Sequence, residues 1–286
     1  MNRLAISFSG GRSSAVMSHL CYEKYKNTHD IVATFANTGC EHEETLRFVS
    51  SCDRHIFDNQ LVWIEAVFHE HGKGPTAKVV DYETASRDGS PFWASIKKHG
   101  VFCRTHPQCT SRLKEEPMIS YRRSIGWESG SYDVAIGIRA DEADRISPNR
   151  KKKRFIYPLV NEGWGKRDVN RFMSQFDWDL NLPSDAFGNC VWCWKKSRRK
   201  LLTVAKADPS VFDFPGEMER RHGAEKPDEN GNPRVFFRNY QSAQDLLRDS
   251  ILEDFQPYED EKFDDPRLFD DWWDTGQGCG DSCEIE

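Results

Sequence analysis

The chain has 286 residues with 37% hydrophobic and 12% aromatic side chains, enough for a large domain with or without an appendage, which excludes wholesale disorder. No apolar run reaches the length of a membrane span and the N-terminus has no signal-type apolar stretch, so a cytoplasmic setting is expected, in which nine cysteines point to metal or redox chemistry rather than disulfides. The net charge of −6 is uneven: Asp245 to Glu286 hold 15 acidic and 3 basic side chains, the rest of the chain 31 and 37, so a mildly basic body able to receive a polyanion carries an acidic tail.

Leu4, Ile6 and Phe8 alternate as in a strand, and Ser13 to about Lys26 reads as a helix with Met17, Leu20 and Cys21 on one face. "IVATFAN" (31–37) is a short apolar run suited to a buried strand, "HEETLRFVSSC" a helix, "LVWIEAVF" (61–68) a third strand and "YDVAIGIR" (132–139) a fourth. "DVNRFMSQF" (168–176) is an amphipathic helix with Asp168 placed to cap it and Val169, Phe172, Met173 and Phe176 as its stripe. The alternation predicts an α/β, Rossmann-like parallel sheet flanked by helices over residues 1–205, followed by a more irregular acidic C-terminal extension, 206–286.

In "SFSGGRSSA", Ser7 to Ala15, a strand ends in two glycines and a helix begins at once. Backbone N–H groups, the positive end of the helix and the hydroxyls of Ser9, Ser13 and Ser14 then converge, a geometry suited to phosphate, with Gly10 and Gly11 leaving room for the ligand. The stretch resembles the Ser-Gly-Gly-x-x-Ser pyrophosphate loop of the ATP pyrophosphatase-like superfamily, with Ser13 where Asp is usual. "FANTGCEHEETLRFV", "GIRADEADR" (137–145) and "IYPLVNEGWGKRDVNRF" resemble, in the same order, segments of phosphoadenosine phosphosulfate reductase relatives, notably uncharacterised phage and prophage members. The resemblance implies an adenine nucleotide, ATP or a sulfonucleotide, held by Ser7, Ser9, Gly10, Gly11, Arg12, Ser13 and Ser14, with Asn37, Thr38 and Gly39 near the adenosine. Arg139, Asp141, Glu142 and Arg145 should emerge at the same sheet edge, the arginines neutralising charge on transferred phosphate or sulfate and the carboxylates holding Mg²⁺ or pairing with the arginines.

Cys103 and Cys109, then Cys190 and Cys193 in "NCVWCW", form two close pairs, a spacing that suits a 4Fe–4S cluster or a structural Zn²⁺. "CTSRLKEEPM" (109–118) is similar to the Cys-x-x-Arg-Lys-x-x-Pro-Leu stretch beside the cluster of adenylyl-sulfate reductases, which implies 4Fe–4S. There two cysteines are adjacent; here Gln108 precedes Cys109, so Cys103 is the expected partner, with His106 as a substitute. Cys279 and Cys283 lie in the acidic tail, where the resemblance implies an attacking thiol, Cys283, on the substrate sulfur.

The basic runs "NRKKKR" (149–154) and "WKKSRRK" (194–200) suit a phosphate backbone of tRNA or DNA, with Trp192 and Trp194 either stacking on bases or packing. Three functions follow. One is ATP-dependent, AMP-forming activation for sulfur transfer or nucleic-acid modification, with a sulfur donor as partner; the intact glycine loop and basic runs favour it. Another is sulfonucleotide reduction by the tail cysteine with a thioredoxin-like reductant; the tail favours it. The third is a non-catalytic nucleotide-binding module in phage–host conflict. A second copy of the chain is a further expected partner.

Overall fold

The computed structural model describes residues 1–71 and 74–260. In chain order, β1 (Asn2–Phe8), α1 (Arg12–Tyr25), β2 (His29–Asn37), α2 (Glu43–Ile56) and β3 (Val62–Val67) form the alternating unit expected from the pattern. β4 (Thr76–Val80), α3 (Ser90–His99), a π-helical turn (Ser111–Glu115) running into α4 (Glu116–Ser124), and β5 (Asp133–Ala135) come next. Then follow α5 (Arg150–Lys153), β6 (Phe155–Ile156), α6 (Pro158–Asn161), α7 (Lys166–Met173), α8 (Arg198–Ala207), α9 (Asp213–His222) and α10 (Ala243–Leu252).

The six strands lie in the order β4-β3-β2-β1-β5-β6. Every pairing is parallel except β3 with β4, which is antiparallel from Trp63–Val80 to Val67–Thr76. The link between Val67 and Thr76 is too short for a parallel crossover, so the chain can only fold back. The fourth strand is shorter than its apolar pattern: only Asp133–Ala135 pair regularly, after which Ile136 gives its N–H to Ile156 and the chain runs extended to Arg139.

Alternation along β1 divides the core. Leu4, Ile6 and Phe8 pack with Val16 and Met17 of α1, Leu46 and Val49 of α2, and Val169 and Met173 of α7. Ala5 faces the other way, with Trp127, Tyr132, Val134 and Ile136. A third cluster joins Phe92 and Phe102 to Cys190, Trp192, Phe212, Phe236 and Leu246, so residues after 206 contribute apolar side chains to the same packed body. α7 begins earlier than its stripe suggests: Gly165 is the N-cap, and Asp168, expected to cap, sits one turn inside and accepts the Gly165 N–H at 3.0 Å.

Candidate phosphate-binding cleft

β1 delivers the chain to Gly10, whose φ of +80° favours glycine and where a Cβ would lie 3.0 Å from Thr45 Cγ2 and Val49 Cγ2 of α2. Room for a ligand is therefore not what requires glycine at 10; the close approach of α2 is. Gly11, the N-cap of α1 at φ −107°, has nothing nearer to a hypothetical Cβ than Ser9 Oγ at 4.0 Å. Ser14 is buried and wires the turn together. Its Oγ accepts from Ser9 N (3.2 Å) and Gly11 N (3.3 Å) and donates to the Gly11 carbonyl (2.8 Å). Ser14 thus shapes the loop and also accepts from Ser9 Oγ at 3.0 Å, while Ser9 and Ser13 both line the cleft.

Gly137 lets the second half of the site approach: a Cβ there would lie 3.0 Å from Ser14 Cα, so the strand end passes directly against the start of α1. Two residues on, Arg139 donates from Nη1 to Ser13 Oγ at 3.2 Å. The same guanidinium pairs with Asp141 (2.9 Å) and Glu142 (3.4 Å), and Arg145 pairs with Glu142 at 2.5 Å. Burial disfavours the Arg139 charge, but Glu142 and Asp141 outweigh it and its pKa sits above the usual arginine value. Of the two roles expected for the carboxylates, pairing with the arginines is the one that the geometry displays. Around these groups lies a cleft of about 240 Å³ whose walls carry Arg12, Arg139, Arg145, Lys166, Lys196 and Lys200 against the acids Glu142 and Asp185. An anion is the ligand such a field attracts.

Of the other expected residues, Arg12 stays on the cleft wall and the rest lie away from it. Arg12 grips Asp179 (2.8 Å) and the Leu180 carbonyl (2.7 Å), tying the loop to the chain after α7. Ser7 alternates onto the opposite sheet face, with Met118 Sδ at 3.8 Å and Arg122 Nη2 at 3.4 Å. Asn37 is fully buried and donates to Glu65 (2.7 Å) and the Ser86 carbonyl (2.9 Å). Thr38 donates its hydroxyl to Glu41 at 2.8 Å, and Gly39, at φ +77°, packs on Gly89. These three residues lie outside the walls of the cleft and hold the turn after β2 rather than presenting an open surface to adenosine. Lys166, Asn170, Lys196, Lys200 and Tyr258, which the sequence did not single out individually as nucleotide contacts, do line it. Lys166 and Asn170 lie in the "IYPLVNEGWGKRDVNRF" segment and Lys196 and Lys200 in the basic run 194–200, so these four had a signal in the sequence, whereas Tyr258 had none.

The four-thiolate centre is not assembled. Cys109, Cys190 and Cys193 line one cavity of about 20 Å³ with Phe92, Trp192 and Trp194, but Cys103 is not on it. Cys103 forms a small bridge with His106 and its Sγ lies 3.2 Å from Thr105 Oγ1, while the His106 ring stacks on Phe102. Among the described residues no three His, Cys, Asp or Glu side chains are placed to hold a metal ion. Cys40 lies in the same core, where burial and the nearby Cys190 push its thiol well above the ordinary cysteine value. Cys279 and Cys283 fall outside the described residues.

The run 194–200 is buried at its start and partly exposed from Ser197 to Lys200. Trp194, Lys195 and Lys196 are buried, and Lys196 donates to the carbonyls of Ala186 and Val191, both at 2.6 Å. Arg198 pairs with Asp249 and Glu253, and Arg199 donates to the carbonyls of Gln256 and Pro257. Trp192 packs against Phe92 and Phe236. The run 149–154 is exposed. Among the described residues no helix is long and apolar enough to cross a membrane.

A family model described as the phosphoadenosine phosphosulfate reductase domain matches residues 3–181. The chain belongs to that family. It is 30% identical, over 98% of its own length and 94% of the relative's, to the uncharacterised nin-region protein ORF290 of Escherichia phage lambda. An uncharacterised protein of Methanocaldococcus jannaschii is 28% identical over 53% of this chain, which spans 25% of that relative. Among solved structures, the phosphate complex of phosphoadenylyl-sulfate reductase from Candida auris aligns with a TM-score of 0.35 and 14% identity, covering 61% of this chain and 73% of that one. The phosphosulfate reductase match takes in the glycine loop and the Gly-x-Arg element but stops before Cys190 and Cys193.

Proposed function

We propose that the chain is an adenine-nucleotide-dependent enzyme that activates an oxygen of its substrate with ATP for sulfur transfer. The α–β phosphoanhydride breaks as the substrate oxygen attacks the α-phosphorus, pyrophosphate leaves, and the sulfur nucleophile then displaces AMP. The observation that carries this reading is Arg139, seated on Ser13 of an open glycine loop inside a cleft with six cationic and two acidic walls. Loop N–H groups and cations of this kind stabilise charge that grows on phosphate oxygens during transfer. Ser9, Ser13 and Arg139 bind and orient the phosphates, and Ser14 and Gly137 keep the two halves of the site in contact. A second reading, reduction of a sulfonucleotide by Cys283, draws on the name of the family that the chain matches.

The test is product analysis of purified protein given ATP with candidate acceptors and a sulfur donor, or given phosphoadenylyl sulfate with a thiol reductant. AMP and pyrophosphate from the first mixture are expected; sulfite from the second would replace this reading by the reductive one. Gly11→Leu should remove ATP binding while leaving the melting temperature near that of the parent chain. Unchanged ATP affinity in that variant would refute the loop assignment.

A further inference from the structure

Where α3 ends, other segments of the chain press on a single peptide unit. Gly100, its C-cap at φ +84°, is packed so closely that a Cβ there would lie 3.0 Å from Lys226 Cβ and 3.2 Å from Arg234 Nη1. On the other side of the same peptide, the ring of His106 hydrogen-bonds to the backbone of His99. Three buried nitrogens then have no hydrogen-bond partner among the described residues: Nε and Nη1 of Arg234 and Nε2 of His106. Acceptors at the helix end are already engaged, the Ile96 carbonyl by the Gly100 N–H at 2.6 Å and the Lys98 carbonyl by Lys226 Nζ. A buried guanidinium N–H without an acceptor is costly, the more so because the group is charged. Nearby acids are committed, Glu116 to Arg112 at 2.6 Å and Glu225 to His222 at 2.8 Å. Burial, then the cations Arg112, Lys98 and Lys226 and the ring of His106, push the His99 imidazole down to about 4, which marks the local field as positive. His99, His106 and Arg234 are partly exposed and Lys226 is exposed, so solutes reach this place.

We propose that this end of α3 is a binding site for a phosphate or sulfate group, whose oxygens accept from Arg234 while Lys226 and His106 flank it. Charge-assisted hydrogen bonds to such oxygens supply the partner that the Arg234 nitrogens lack. None of these residues is on the walls of the glycine-loop cleft, so the site does not depend on what that cleft does.

The probe is inorganic phosphate, titrated into the full chain and followed through the imidazole nitrogen resonances of His99 and His106. Both should shift along one saturable curve, sulfate should reproduce it, and the shifts should persist in Gly11→Leu, where the glycine loop is blocked. Arg234→Gln should weaken binding about tenfold or more, as expected for losing charge-assisted contacts. Should that variant fail to fold, Lys226→Glu, a reversal of charge at an exposed position, should weaken it by a similar factor. AMP that moves the same two resonances would identify a phosphate monoester as the natural source, and AMP without effect the free ion. Resonances that do not move, shifts that vanish in Gly11→Leu, or an affinity within about twofold of the parent in whichever of the two variants decides would overturn the proposal.

Discussion

A methyl group at residue 10 would press on Thr45 and Val49 at 3.0 Å in a backbone already at φ +80°, so Gly10→Ala is expected to destabilise the fold by about 1–3 kcal/mol, read as a lower Tm. Loss of nucleotide binding in that variant would say nothing about the ligand, whereas Gly11 offers a clean probe because a side chain there meets open space. The residue that reports on chemistry is Arg139. Arg139→Ala should slow AMP formation by at least about a hundredfold while circular dichroism and Tm stay close to the parent, since the arginine's contacts are with Ser13, Asp141 and Glu142 at the cleft wall rather than with the core. A loss below about threefold would remove it from the transfer step. The juxtaposition of Arg139 with the glycine loop was legible in the sequence because both follow strand ends. The inward turn of Ser14 and the outward turn of Ser7 were not, because hydroxyls at neighbouring positions look alike until the strand's alternation and the loop's internal hydrogen bonds are known.

In α9, Glu219 accepts N–H bonds from Phe236 and from Ala243 at the start of α10, both at 2.8 Å, and so joins the two helices to the segment between them. Burial raises its carboxyl to about 7 from an ordinary 4.5, and the two N–H donors offset this only in part. Between those values the folded chain holds more protons than the unfolded one, so stability should fall as pH rises from about 4.5 to 7, by on the order of 3 kcal/mol, and level off above. Glu219→Gln should flatten that slope in Tm measured against pH; an identical slope would show that another group titrates. Helices α9 and α10 had no clear mark in the sequence, since their apolar positions are few and their stability comes from packing on the cysteine-lined core rather than from a strong stripe. The strands β1, β2 and β3 were legible because each is buried on a sheet whose pattern is continuous, whereas β4 and the two-residue β6 are too short or too exposed to leave a period. In the run 194–200, likewise, composition cannot distinguish lysines that face solvent from Lys196, which points at two carbonyls inside.

At the scale of the molecule, the cleft is built from both ends of the described chain. The glycine loop lies at its start, while Tyr258 lines the same cleft and takes a cation–π contact from Lys200 at 4.4 Å. Asp260 accepts the N–H of Asp185, itself on the cleft wall, at 2.7 Å, so residues 261–286 continue from a point beside a cationic site. Those residues carry nine acids and two bases, together with Cys279 and Cys283. Anionic charge attached there competes with a phosphate ligand over distances comparable to the Debye length, about 10 Å at 0.1 M salt. Ending the chain after Asp260 should therefore tighten pyrophosphate binding at low ionic strength, with the difference vanishing as salt is raised, and should leave AMP release from ATP intact. Equal affinities at low salt would mean that the tail's charge does not reach the cleft. The same shortened chain also separates the two reactions, because sulfonucleotide reduction through Cys283 has no attacking thiol left once that residue is removed. Sulfite release that is present in the full chain and lost on truncation would assign the tail a chemical role and overturn ATP-dependent activation as the principal activity.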